Sequence, residues 1–379
     1  MREIPPAMRG GGLLLLLAFL LSGCGWDHPL LYDVRLEPHQ TISPNADGVD
    51  DLTRLHYSLA EPALVTITFE NEQGEQFTWR EREQRVADSY EGWFSGVVGE
   101  QVLPDGKYRV TVSAEPLEGG TAVETSVELQ VAQADSTRPE IANFEVTPMV
   151  ISPNADGIAD EATITYWLSK PMDRVELYLI GPDGTRYPVP PDPLREAMEE
   201  GSHLHRFDGG VGLGAVPPPE GEYTVVARAF DRVGAATTVS TTLRLEQSGI
   251  PLAQITNHDV EIEPTVLVIG ETLFFTTTVT NTGNVPIRTH GPEPGTLYDS
   301  TVNYNNFSEP IEDGSWRLGL DFDGNRVYNG NRYPYRWQIG RSSELTEIDG
   351  ELYLMPGQDV VVTGSLRLLE RPPRQTPGF

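Results

Sequence analysis

Thr41-Ile42-Ser43-Pro44-Asn45-Ala46-Asp47-Gly48-Val49-Asp50-Asp51 returns as Val150-Ile151-Ser152-Pro153-Asn154-Ala155-Asp156-Gly157-Ile158-Ala159-Asp160, at a constant offset of 109 residues. The match continues outward: Tyr57 answers Tyr166, Leu59 answers Leu168 and Pro62 answers Pro171. Upstream, Tyr32-Asp33-Val34-Arg35-Leu36-Glu37-Pro38 is echoed by Ile141 to Pro148. Downstream, Asp105-Gly106-Lys107-Tyr108 is echoed by Glu220-Gly221-Glu222-Tyr223, after an insertion between Pro188 and Gly201. Self-similarity at a fixed period marks a repeated structural unit. Residues 30–133 and 134–248 therefore read as two copies of one domain.

Each copy reads as strands. Leu64 to Phe69 is β-branched and aromatic and ends at Asn71-Glu72-Gln73-Gly74, a turn. Val175 to Ile180 ends at Gly181-Pro182-Asp183-Gly184 in the same way. Tyr108 to Val112 alternates with period two, and Val123–Val131 and Thr237–Leu245 read as closing strands. Short strands between Gly and Pro turns predict a β-sandwich. The one helical candidate is Pro193–Glu200, inside the insertion. Residues 249–379 lack the motif, yet Glu271–Thr280 and Asp359–Leu369 are again strand-like, so a third β-sandwich is expected there. The fold class is all-β, three sandwiches in tandem.

Composition narrows the function. The 379 residues carry 27 Lys+Arg against 56 Asp+Glu, a net charge of -29. Such a surface repels phosphate backbones, which argues against nucleic acid as a partner. A single cysteine forbids an internal disulfide and any cysteine-based metal cluster. That cysteine, Cys24, follows Arg2, Arg9 and an apolar run from Leu13 to Leu21. Nine residues are too few to cross a bilayer but suit the core of a signal peptide.

Leu21-Ser22-Gly23-Cys24 resembles the bacterial lipobox. The resemblance implies a signal peptide over 1–23, lipidation of Cys24, a short tether over 24–29, and a cell-envelope location on the outer face of the membrane. The Ser-Pro-Asn-Ala-Asp-Gly opening with its later Gly-x-Tyr strand resembles the Ig-like domains of the flagellar hook-capping and surface-protease (FlgD/Vpr) type. It is also similar to gliding-motility-associated surface modules, which usually carry Gly where this chain has Ala46 and Ala155. Thr280-Asn281-Thr282-Gly283-Asn284 after a strand resembles CARDB-type surface modules and, more loosely, the BsuPI inhibitor fold. These resemblances imply an extracellular Ig-like architecture without a fixed activity.

Three constellations are candidate sites. In the repeated loops, Ser43, Asn45, Asp47, the Val49 carbonyl and Asp51 alternate around a glycine, as do Ser152, Asn154, Asp156, Ile158 and Asp160. Alternating oxygens around a glycine suit calcium. The twelfth position, however, is Arg54 or Thr163 rather than a bidentate Glu. The same residues equally make an Asx turn, in which the side chains bond their own backbone. Trp316, Tyr328, Tyr333, Tyr335 and Trp337 form an aromatic set that would serve as a carbohydrate- or protein-binding face or as core. His203 and His205, with Asp208 nearby, share one strand face and read as a surface hairpin or a weak metal pair. No hydrolase, zinc-protease or nucleotide-binding motif is present. The expectation is a non-enzymatic lipoprotein that binds an extracellular protein or envelope polymer. The alternative is an accessory subunit or inhibitor of a secreted enzyme.

Overall fold

A computed structural model describes residues 28–190, 198–255, 260–307, 312–322 and 333–370. Cys24, the signal peptide, Tyr328 and most of the helical candidate Pro193–Glu200 lie outside the described residues. The described chain is strands and turns with two short 3₁₀ turns, so the all-β expectation holds. It divides into two compact units. One takes the residues up to Pro44, Gly48–Val98 and Pro104–Gln133; the other takes Asn45–Asp47, Gly99–Leu103 and the chain from Ala134 onward.

In the first unit, β1 (Leu31–Glu37), β3 (Thr53–Leu59) and β6 (Ser89–Phe94) form a three-stranded sheet in the order β1-β3-β6. The second sheet runs β2-β10-β9-β4-β5, from β2 (Thr41–Ile42), β4 (Ala63–Asn71), β5 (Gln76–Arg85), β9 (Gly106–Pro116) and β10 (Val123–Val131). Two short strands, β7 (Val97–Val98) and β8 (Gln101–Val102), follow β6. β4 shows why alternation works: Ala63, Val65, Ile67 and Phe69 are buried and the residues between them are not. Inward residues of both sheets, including Leu55, Phe94 and Val112, make the core, as a sandwich requires.

The second unit opens by repeating both of these sheets in the same strand order, without a counterpart of β7 and β8 among the described residues. β11 (Ile141–Thr147), β13 (Ala162–Leu168) and β16 (Gly201–Phe207) form β11-β13-β16. β12 (Val150–Ile151), β14 (Arg174–Ile180), β15 (Arg186–Pro188), β17 (Gly221–Phe230) and β18 (Ala236–Leu245) form β12-β18-β17-β14-β15. Even irregularities repeat. The β1/β3 register slips between Tyr32 and Arg35, and the β11/β13 register slips between Ala142 and Glu145. Asp33 and Asn143 sit at those bulges with φ of 56° and 52°. Asp and Asn tolerate that left-handed region better than other residues with side chains.

A second, separate core follows in the same unit. β19 (Ala253–Ile255), β20 (Glu261–Glu263), β21 (Thr272–Asn281), β23 (Leu297–Asp299) and β28 (Asp359–Arg367) form one sheet, with both β19 and β20 on the outer side of β21. β22 (Ile287–Arg288), β27 (Glu351–Leu354) and β26 (Thr346–Ile348) form another, and β24 (Arg317–Leu320) pairs with β25 (Tyr335–Gln338). Asn281, fully buried, donates to the Val285 and Leu354 carbonyls and accepts from the Gly283 N–H. The Thr-Asn-Thr-Gly-Asn motif is thus a pinned turn.

Candidate functional site

The repeated loops are built alike. Ser43 Oγ donates to the Val49 carbonyl at 2.7 Å, and Ser152 Oγ to the Ile158 carbonyl at 2.9 Å. Asn45 Oδ1 accepts from the Asp47 N–H at 3.0 Å, and Asn154 Oδ1 from the Asp156 N–H at 3.0 Å. Asp51 Oδ2 accepts from the Gly48 N–H and Asp160 Oδ2 from the Gly157 N–H. The loops hold three left-handed residues each: Ala46, Gly48 and Asp50, then Ala155, Gly157 and Ala159. Asn45 and Asp51, and likewise Asn154 and Asp160, are therefore drawn into binding backbone N–H groups, while each serine hydroxyl is spent on the loop's own carbonyl, the geometry of an Asx turn. Among the described residues no group of three His, Cys, Asp or Glu could hold a metal ion.

The second loop does something further. Asp156 is 5% exposed, and its Oδ2 accepts from the Tyr353 hydroxyl at 3.4 Å. Gly157 has a φ of 81°, and a Cβ there would stand 2.1 Å from the Asp313 carbonyl oxygen. A Cβ on Gly314 would stand 2.1 Å from the Asp156 carbonyl carbon. The two backbones touch where only glycine allows it. Arg288, 6% exposed, lies beside this contact; its Nη2 donates to Glu312 Oε2 at 3.1 Å and to the Asp313 carbonyl at 3.0 Å. Burial raises the Asp156 carboxyl above the usual range, and burial beside that carboxylate pushes the Tyr353 hydroxyl up to about 12. The loop thereby joins the sandwich of β11–β18 to the separate core that follows. The motif announced a turn, but its docking partners are more than 150 residues distant in sequence, and no local signal could have paired them.

The aromatic set separates. Tyr335 and Trp337 are fully buried and belong to the core, which corrects their reading as a binding face. Gly364 leaves the space that Trp337 and Phe275 fill. Trp316 packs against that core from its edge, and Tyr333 is 50% exposed. Both line a groove of about 440 Å³ between β19 and β24. Ile255, Val279, Leu318 and Ile339 supply its apolar part, and Arg317 and Arg336 its charge.

The histidines are also corrected. His203 and His205 are each 5% exposed rather than on a surface hairpin. Both rings stack on Tyr166, at 5.2 and 5.5 Å between centroids. His205 Nε2 lies 3.0 Å from the Tyr166 hydroxyl, and His203 Nε2 lies 2.8 Å from the Glu199 carbonyl. Asp208 instead accepts from the N–H groups of Gly210 and Gly212. The pair is packed polar core.

No family model and no curated protein matches the chain. Solved structures resemble it only loosely. A bacterial ice-binding adhesin structure concerned with host cell surface retention is 10% identical, with 89% of this chain and 98% of that one covered and a TM-score of 0.20. Alpha-2-macroglobulin from E. coli is 12% identical over 90% of this chain and 21% of its own, with a TM-score of 0.21. Latent PorU from Porphyromonas gingivalis is 12% identical over 90% of this chain and 34% of its own, with a TM-score of 0.23.

Proposed function

We propose that the chain is a cell-surface lipoprotein, anchored through Cys24 on the outer face of the membrane, that acts as a non-catalytic binding and scaffolding module of the bacterial envelope. The observation that carries this reading is the joint at Asp156–Gly157. A scaffold has to hold its parts at fixed spacing, and here a repeated loop is committed to backbone contact and a buried charge cluster between successive cores. The described polar side chains that drew attention in the sequence are engaged in turns and stacks, which suits a rigid module.

Metabolic labelling with palmitate tests the anchor. The wild-type protein should carry label and sediment with membranes, and Cys24→Ser should be unlabelled. Label independent of Cys24 would overturn the anchor. Saturable binding of the purified protein to isolated envelope fragments tests the binding role, and its absence would remove that role.

A further inference from the structure

We propose that Tyr333 and Trp316 make the groove between β19 and β24 a site for the ring face of a neutral sugar in an envelope glycan. The inference rests on the binding reading above and names the chemistry of the partner.

The first argument is the posture of Tyr333. Its ring is half exposed, although a tyrosine ring gains by burial. Its φ is 60°, in the left-handed region that a bulky residue rarely adopts. Pro334 follows it, and a residue before proline is ordinarily driven to extended backbone. The surroundings hold it there. A Cβ on Gly319 of β24 would stand 2.6 Å from the Tyr333 Cβ and 3.1 Å from its Cγ, so only glycine lets the base of the side chain lie against that strand. Arg336, stacked on the Tyr304 ring at 4.4 Å, donates from Nε to the Tyr333 carbonyl at 2.9 Å and is a positioning residue. A ring kept on a strained backbone and left open to solvent beside a groove is an outlier that points to binding.

The second argument is what the groove offers beside that ring. Trp316 brings a second aromatic ring, and Leu318 and Ile255 bring apolar surface. The Ser315 hydroxyl, also in the lining, is buried without a hydrogen-bond partner among the described residues. An aromatic face is electron-rich and attracts polarised C–H bonds. A pyranose ring presents such bonds on its faces and hydroxyls around its rim. The faces suit Tyr333 and Trp316, and a rim hydroxyl, donor and acceptor at once, suits Ser315. Other occupants fit less. The side of β24 away from β25 is bridged by Thr289 to Trp316, so no peptide strand is added there. A nucleic acid is repelled by a chain of net charge -29. The groove volume falls within the roughly 300–1,000 Å³ common for ligand sites.

The test is biolayer interferometry of the purified protein on immobilised envelope polysaccharide, freed of protein by protease and of lipid by extraction. Binding should saturate and should hold as salt rises from about 0.05 to about 0.5 M, because stacking on a neutral ring is not screened. Tyr333→Asn removes the ring and places a residue that tolerates the left-handed backbone. It should weaken binding about tenfold, as loss of a stacking ring would, while the melting temperature holds or rises. Tyr333→Phe keeps the ring face and should bind as wild type does. No saturable binding, equal binding by Tyr333→Asn, or binding that collapses with salt would overturn the proposal. So would a melting temperature lowered by Tyr333→Asn, which would make the ring a packing element. Tighter binding of a decaproline peptide, lost in Tyr333→Asn, would make the occupant a proline-rich peptide and overturn it too. The wild-type titration and Tyr333→Phe decide even if Tyr333→Asn fails to fold. Envelope fragments that bind while their polysaccharide does not would leave the scaffolding reading standing and remove this one.

Discussion

The two copies of the motif provide a matched pair of glycines, Gly48 and Gly157, with φ of 86° and 81°. Alanine in the left-handed region costs about 1–2 kcal/mol, partly offset by the roughly 0.5–1 kcal/mol that glycine loses on folding. At Gly48 a Cβ meets nothing within 4 Å among the described residues, so Gly48→Ala should destabilise by only about 1 kcal/mol. At Gly157 the Cβ lands 2.1 Å from the Asp313 oxygen and 2.9 Å from its carbon. The neighbour is backbone and cannot rotate away. Restoring ordinary contact means parting the two chains by about 1 Å, which pulls Asp156 from Tyr353. Overpacking of that kind costs about 1–3 kcal/mol more, for a total of about 2–4 kcal/mol. Hydrogen exchange followed by mass spectrometry separates the two cases. Gly157→Ala should speed exchange across residues 312–316 and around Tyr353, whereas Gly48→Ala should leave those segments unchanged. Equal destabilisation by both variants, with unchanged exchange at 312–316, would refute the joint.

Four further outcomes are expected. Tyr108 and Tyr223 each donate to a carbonyl four residues back, Pro104 at 2.8 Å and Pro219 at 2.6 Å, so phenylalanine at either should cost about 0.5–1.5 kcal/mol in denaturant melts. Asp156 has a raised folded-state pKa, so the stability it lends is present in acid and lost as pH rises through that pKa; Asp156→Asn should be more stable than wild type near neutral pH and equal to it in acid, as read by melts across pH. Lys170 Nζ bridges Asp135 and the buried Asp231 at 2.8 and 2.9 Å, and Lys170→Met should cost about 1–3 kcal/mol, discounted for partial exposure. Burial alone would lower Lys170 and raise Asp135, but their mutual bond outweighs it and leaves Lys170 raised and Asp135 lowered, so this loss should be largest at neutral pH and shrink both in strong acid and above the ordinary lysine range. Melts in millimolar calcium and in chelator should coincide; stabilisation that grows with calcium concentration would show that the loops bind it.

The fold was legible because alternation and repetition are local properties. β4 and β9 bury every second residue, and the motif recurs at one spacing, so strand type and copy number could be read directly. Burial of a polar residue is decided by distant chain. His203 and His205 look like surface residues until Tyr166 is laid between them. Tyr335 and Trp337 looked like members of one exposed aromatic set with Tyr333, but strand pairing of β24 with β25 turns them inward and leaves Tyr333 out. The groove had no sequence signature, since residues distant in sequence, from β19, β21, β24 and β25, line it together.

The parallel pairs β2–β10 and β12–β18 set the short second strand of each repeat, two residues long, beside its last. In each pair the chain enters at one end and leaves at the other along the same direction. A tension applied between the two ends of either repeat would therefore slide these strands past one another, loading their hydrogen bonds together. Peeling one bond at a time would need the load to run across the strands. Within each repeat this short parallel pair, loaded after β1 or β11, would resist extension and then yield abruptly.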